Sequence, residues 1–253
     1  MAATPTIREV RETKEPTRAT VRIRPGERSP HPIPQYITGK FCEHLGANIL
    51  NGMDAQILRN PTFAEYPFST GQMTPDGVTR FHADDAKIAE QLRRQAARFG
   101  CPKEDLDGLV QARGDGLACF WMREGPREAV EVSPDAGPHV GRAQRVAVRE
   151  AGQGLAQWVW LPLHRVRRLQ CEVFARSPDV KSLTVSLRGP GAEATLATAA
   201  LPGLDATWRR LTATLDVPPS APADGAYRLA VTADAPGQFV LGHVLLRPAD
   251  HVA

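Results

Sequence analysis

The chain has 253 residues and a net charge of +3, with 31 Lys and Arg against 28 Asp and Glu spread along its length. That length allows one large domain or two modest ones, each able to bury a core. The interspersed charge excludes the single-sign field of a nucleic-acid or anionic-membrane binder.

Cys42, Cys101, Cys119 and Cys171 show no Cys-x-x-Cys spacing, so neither a zinc knuckle nor a disulfide framework is implied. Reduced, buried thiols and a cytoplasmic location are the expectation. The N-terminus has no signal-type apolar run, and no stretch approaches the roughly 18 apolar residues of a spanning helix.

Residues 1–17 are charged and read as a tail. Thr20 to Arg24 alternates Val21 and Ile23 with arginines, a short strand, and a second strand is expected over 36–45. Residues 52–60 read as a short helix stopped by Asn60-Pro61, and 64–82 as turns. Ile88, Leu92, Ala96 and Phe99 share one face of an amphipathic helix over 84–99, closed by Gly100 and Pro102. A loop is expected over 101–116.

From Leu117 the pattern becomes short strands separated by turns: 117–122, 144–149, 155–161, 168–175, 182–188, 195–200, 208–217, 226–233 and 238–247. Period-two alternation is plain in Leu169, Cys171, Val173; in Leu183, Val185, Leu187; in Leu211, Ala213, Leu215; and in Tyr227, Leu229, Val231. Such a series implies an antiparallel sandwich. The expected domains are therefore 18–63, a linker with its helix over 64–116, the sandwich over 117–247 and a tail over 248–253.

Two family resemblances bear on function. Gly39-Lys-Phe41-Cys-Glu43-His44-Leu45-Gly46, followed by Leu58-Arg-Asn60-Pro-Thr-Phe63, resembles the opening of the catalytic domain in α-L-arabinofuranosidases of glycoside hydrolase family fifty-one. The match covers residues 33–63 and implies the first strand and helix of a (β/α) barrel, incomplete in this chain. The second, more diffuse, lies in Gly154-Leu-Ala-Gln157-Trp158-Val-Trp160-Leu-Pro162, Arg165 and Trp208-Arg-Arg-Leu-Thr212, which resemble jelly-roll carbohydrate-binding modules of bacterial cellulases and xylanases. The fold class expected is thus mainly β: a jelly-roll sandwich, a barrel-like N-terminal segment and one amphipathic helix.

The first resemblance implies that Glu43 hydrogen-bonds a furanose, with His44 and Asn48 beside it as further substrate-binding candidates. It places the two catalytic carboxylates of a retaining glycosidase on later barrel strands, and no such pair is found in this chain. No catalytic residue, metal site or cofactor is therefore assigned.

Trp158 and Trp160, two apart on a strand, share a face and form the candidate sugar platform, with Gln157, His164 or Arg165 as polar contacts. Burial between the sheets is the competing reading, while Trp121 and Trp208 are assigned to the core. Two functions remain open: the N-terminal portion of an arabinofuranosidase-like hydrolase, needing a chain that supplies the rest of the barrel, or a stand-alone carbohydrate-binding or accessory protein. Either would meet an arabinose-containing carbohydrate.

Overall fold

The computed structural model describes residues 56–64, 71–73, 79–81, 85–138, 141–189 and 194–250. All lie in a compact unit that begins at Ala55. The strand and barrel motif expected over 20–45, with Glu43, His44 and Asn48, fall outside the described residues.

Two five-stranded antiparallel sheets make the sandwich. Sheet I runs β10 (Arg209–Asp216), β7 (Arg168–Arg176), β12 (Gly237–Pro248), β5 (Arg142–Val148), β4 (Val130–Ala136). Sheet II runs β3 (Met122–Glu124), β6 (Gly154–Pro162), β11 (Asp224–Ala233), β8 (Ser182–Arg188), β9 (Thr195–Pro202). A short hairpin of β1 (Gly71–Met73) and β2 (Thr79–Phe81) stands in a stretch expected to be turns alone.

Alternation decides what each strand buries. Leu169, Cys171, Val173 and Ala175 of β7 meet Leu183, Val185 and Leu187 of β8 and Tyr227, Leu229 and Val231 of β11 in one core between the sheets.

Sheet II is also covered on its other side. Helix α1 (Asp85–Arg98) lays Ile88, Leu92 and Ala96, and α2 (Leu106–Gly114) lays Leu109, over Met122, Ala156, Trp158 and Ala230. Strand β6 is consequently buried on both faces from Gly154 to Val159, so its sequence reads as a nearly continuous apolar run.

The helices therefore pack onto the sandwich, and α2 replaces the expected loop. Its two glycines, Gly108 and Gly114, and its polar first turn hide it from a propensity reading; burial of Leu109 and Ala112 holds it. Gly100 ends α1 with φ +83°, and a Cβ there would sit 2.3 Å from Ala226 Cβ.

Three further expectations are corrected. Residues 56–57 have no regular structure and 58–60 are bends, not helix: Asn60 and Phe63 have φ of 45° and 54°, and the segment runs irregularly beside β12. Residues 117–121 turn instead of pairing, with Phe120 at φ 72°, so the strand there begins only at Met122. Strand β4 was not anticipated because Pro134 sits within it; it is the edge of sheet I, where a missing N–H is tolerated.

The irregular segment is held by glutamines. Gln157, fully buried and facing the core, accepts from Arg59 N at 2.6 Å and donates to Arg59 O at 2.9 Å. Gln56 accepts from Leu246 N at 2.7 Å and donates to Val244 O at 3.2 Å, while Ile57 N donates to Leu246 O at 2.9 Å. The chain thus enters beside the last strand by which it leaves.

Leu58 and Phe63 drop into the core, Phe63 against Trp121 with centroids 4.9 Å apart, and Trp121 Nε1 donates to Asn60 O at 3.0 Å. Replacing Gln157 with Leu keeps the volume but strands two buried backbone groups. Urea unfolding is expected to show a loss of about 2–4 kcal/mol; an unchanged midpoint would mean the clamp is dispensable.

Candidate functional site

The tryptophan pair separates. Trp158 and Trp160 do share the outward face of sheet II, where they pair across β11 with Arg228 and Ala226. Trp158 is only 7 % exposed, because the turn Lys103–Asp105 and α2 close over it, and its Nε1 donates to Asp105 Oδ2 at 2.6 Å. Burial is thus under the helices and not between the sheets.

Trp160, at 51 % exposed, stands alone at the margin. The cavity beside Trp158, lined by Phe99, Cys101, Phe120 and Met122, leaves about 10 Å³, barely room for one water. Arg59 caps it with its guanidinium 3.7 Å from the Phe99 centroid. A sugar cannot reach Trp158, and the pair does not form one platform.

The proposed polar contacts disperse as well. Gln157 points into the core, and exposed Arg165 pairs with Asp250 at 2.9 Å. His164 is exposed at the far end of β6. Beside Trp158 a salt-bridge cluster occupies the face: Glu124 receives Arg188 at 2.8 Å and Arg228 at 2.9 Å. These groups tie β3, β8 and β11 together.

The outward face of sheet I is different. Glu172, Phe174 and Arg176 of β7 lie out of phase with Cys171, Val173 and Ala175, and so face away from the core. Phe174 stacks on Trp208, with centroids 5.3 Å apart and planes at 22°, and on His243, at 5.2 Å and 24°. Three near-parallel rings from three segments thus form a row across β10, β7 and β12.

Trp208 lies along the sheet surface because β12 offers no side chain at Gly242, where a Cβ would come within 3.0 Å of the indole. The Arg176 guanidinium sits 5.1 Å from the Trp208 centroid, a cation–π contact that fixes the ring. The assignment of Trp208 to the core is therefore corrected. All three rings are half-buried.

Polar groups frame the row. His243 Nε2 lies 2.8 Å from Glu172 Oε1, and Arg210 approaches the same oxygen at 3.4 Å. Asp135 of β4 receives Arg145 at 2.8 Å and Arg176 at 3.4 Å. The loop that delivers Trp208 is organised by Asp205, whose Oδ1 accepts Thr207 N at 2.8 Å while Arg209 Nε donates to Oδ2 at 2.9 Å.

The signals for this site were in the sequence. Trp208 is out of phase with Leu211, Ala213 and Leu215, and Phe174 with Leu169, Cys171 and Val173. His243 had none: a register shift between Leu241 and His243 turns it outward.

Burial pushes the Cys101 and Cys171 thiols up to about 12, with Asp105 and Glu172 respectively adding to the effect, so neither is a nucleophile at neutral pH. Among the described residues no three His, Cys, Asp or Glu side chains gather to hold a metal, and no helix is long and apolar enough to cross a membrane.

No family model matches the chain, and no curated protein does. Solved structures do. A region of an arabinose-bound α-L-arabinofuranosidase aligns at 16 % identity and TM-score 0.46, over 78 % of this chain and 27 % of that one. The first xylan-binding domain of Paenibacillus barcinonensis Xyn10C aligns at 18 % identity and TM-score 0.39, over 54 % and 90 %. A carbohydrate-binding module from Cellvibrio mixtus lichenase 5A, in complex with cellotriose, aligns at 17 % identity and TM-score 0.33, over 47 % and 87 %. The chain spans about a quarter of the arabinofuranosidase's length.

Arg209, then Thr207, hold the Asp205 carboxyl well below the usual carboxylate range. The loop binds the ionised form, so this contribution is complete above the ordinary Asp value near about pH 4 and is lost as pH falls through the depressed folded value. Trp208 fluorescence is expected to stay constant from pH 7 to 4 and to change below that. In an Asp205→Asn variant, that acid-limb change should be absent.

Proposed function

We propose that this protein is a carbohydrate-binding or accessory protein whose ligand lies across the outward face of sheet I. The observation that carries the reading is the row of half-buried Trp208, Phe174 and His243 rings, framed by charged hydrogen-bonding groups. A sugar ring presents an axial C–H face that an aromatic plane covers, and equatorial hydroxyls that side groups bond.

The two outward faces differ in this respect. Sheet II buries Trp158 under the helices and leaves Trp160 by itself at its margin, whereas the rings of sheet I are half-buried and stand together. Affinity electrophoresis on arabinoxylan is the test. Trp208→Ala and Phe174→Ala should each weaken retention by roughly three- to tenfold, and Trp160→Ala should leave it unchanged. Retention that follows Trp160 instead would move the site to sheet II.

A second reading is favoured by one observation. The segment carrying Leu58, Asn60 and Phe63 is bonded to Val244 and Leu246, so the chain enters and leaves the sandwich side by side. That is the geometry of a module inserted in a host domain. The host would be an arabinofuranosidase-like barrel with Glu43, His44 and Asn48 at its substrate site. This chain alone should show no turnover of p-nitrophenyl α-L-arabinofuranoside, since among the described residues no carboxylate pair stands in a barrel setting; measurable turnover would overturn that assignment.

A further inference from the structure

We infer that the ligand of the sheet I face is an anionic saccharide, one carrying a uronate carboxylate, a specificity that rests on the carbohydrate-binding reading above. The two carboxylates beside the aromatic row are recessed and already engaged: the Asp135 and Glu172 side chains are 12 % and 15 % exposed. Asp135 is shared by Arg145 and Arg176, and Glu172 by His243 and Arg210.

The guanidiniums stand above them. Arg176 is 36 % exposed and Arg210 66 %. Their contacts to carboxylate are both long, at 3.4 Å, so neither makes the tight bidentate pair that would satisfy it. The Arg176 Nε is buried without a hydrogen-bond partner.

A neutral sugar presents hydroxyls, which bond well to exposed carboxylate oxygens. Here the two carboxylates beside the rings are covered, and the guanidiniums of Arg176 and Arg210, forks of N–H donors, flank the rings. Arg176 and Arg210 bracket Phe174, lying on either side of the row through Trp208 and the β10–β7 register. A planar carboxylate attached to a ring that stacks on Trp208 and Phe174 matches both features at once.

The test is calorimetric titration of the full chain with a matched pair: an oligogalacturonate and its methyl ester, which share the ring and differ in charge. A neutral arabinoxylan oligosaccharide serves as a third ligand, and dextran sulfate as a polyanion without the pairing of ring and carboxylate. The acid form is expected to bind about tenfold more tightly than the ester. Arg210→Gln should remove most of that difference, Arg176→Gln should also weaken the ester because it holds the Trp208 ring, and Trp208→Ala should weaken both forms.

Equal affinity for acid and ester, with the neutral oligosaccharide bound as well, overturns the anionic specificity and leaves the carbohydrate reading standing. Binding of dextran sulfate that equals the acid form and ignores Trp208→Ala makes the face a plain anion patch and also overturns it. Binding of none of the four, by a chain whose circular dichroism shows it folded, defeats the site itself.

Discussion

Everything in this sandwich depends on satisfying the backbone of segments that lie inside it without being strands. Residues 56–63 and 116–119 are mostly buried or half-buried and make few backbone bonds to a strand, Ile57 N to Leu246 O and Val244 N to Pro61 O among them. An unpaired buried amide is costly enough to forbid such a path. Glutamine side chains supply the missing peptide groups: Gln157 for Arg59, Gln56 for Val244 and Leu246, and Gln144 for Ala118 N at 3.0 Å and Ser133 O at 2.8 Å. Each carries one carbonyl and one amine at the end of a flexible stem, the pair of functions a neighbouring strand would present. Leucine of like volume would fill the space and leave the segment unheld.

From that constraint follows the asymmetry of the two outward faces. The anchored segment places Arg59 and Asn60 beside the residues around 119–121, and the helices settle over sheet II with Leu92 and Trp158 among the buried side chains. Sheet II becomes an interior layer. On sheet I the rings of Phe174, Trp208 and His243 stay half-buried and stacked together, whereas on sheet II Trp158 is covered and Trp160 stands apart. A rigid aromatic row of three segments also loses little conformational freedom when a ligand stacks on it, which is how aromatic platforms bind through modest contact area.

Charge is arranged in depth on that face. Carboxylates lie low and guanidiniums high, and each acid orients the base above it. Such pairs contribute little to stability when exposed, but they hold long side chains in one geometry. What the solvent meets is therefore a set of positioned donors around apolar planes. Burial of Trp158 under the helices, and not residue type, keeps Trp158 and Trp160 from forming one platform.

The sequence by itself determined the sandwich class and most of its strands, since a strand with one buried face writes period two into its residues, as in β7, β8 and β11. It also placed Trp158 with Trp160 on one face, and the phases of Phe174 and Trp208 were there to be read. It could not say which outward face the helices would cover, because Ile88, Leu92 and Ala96 specify an apolar partner and not its identity. Strand β4 and helix α2 carry weak local signals, Pro134 at an edge and two glycines in nine residues, and are made by their neighbours. His243 points outward only because β12 shifts register beside Gly242. Those outcomes were decided by tertiary contact, where burial of one surface determines which of two chemically similar faces stays open.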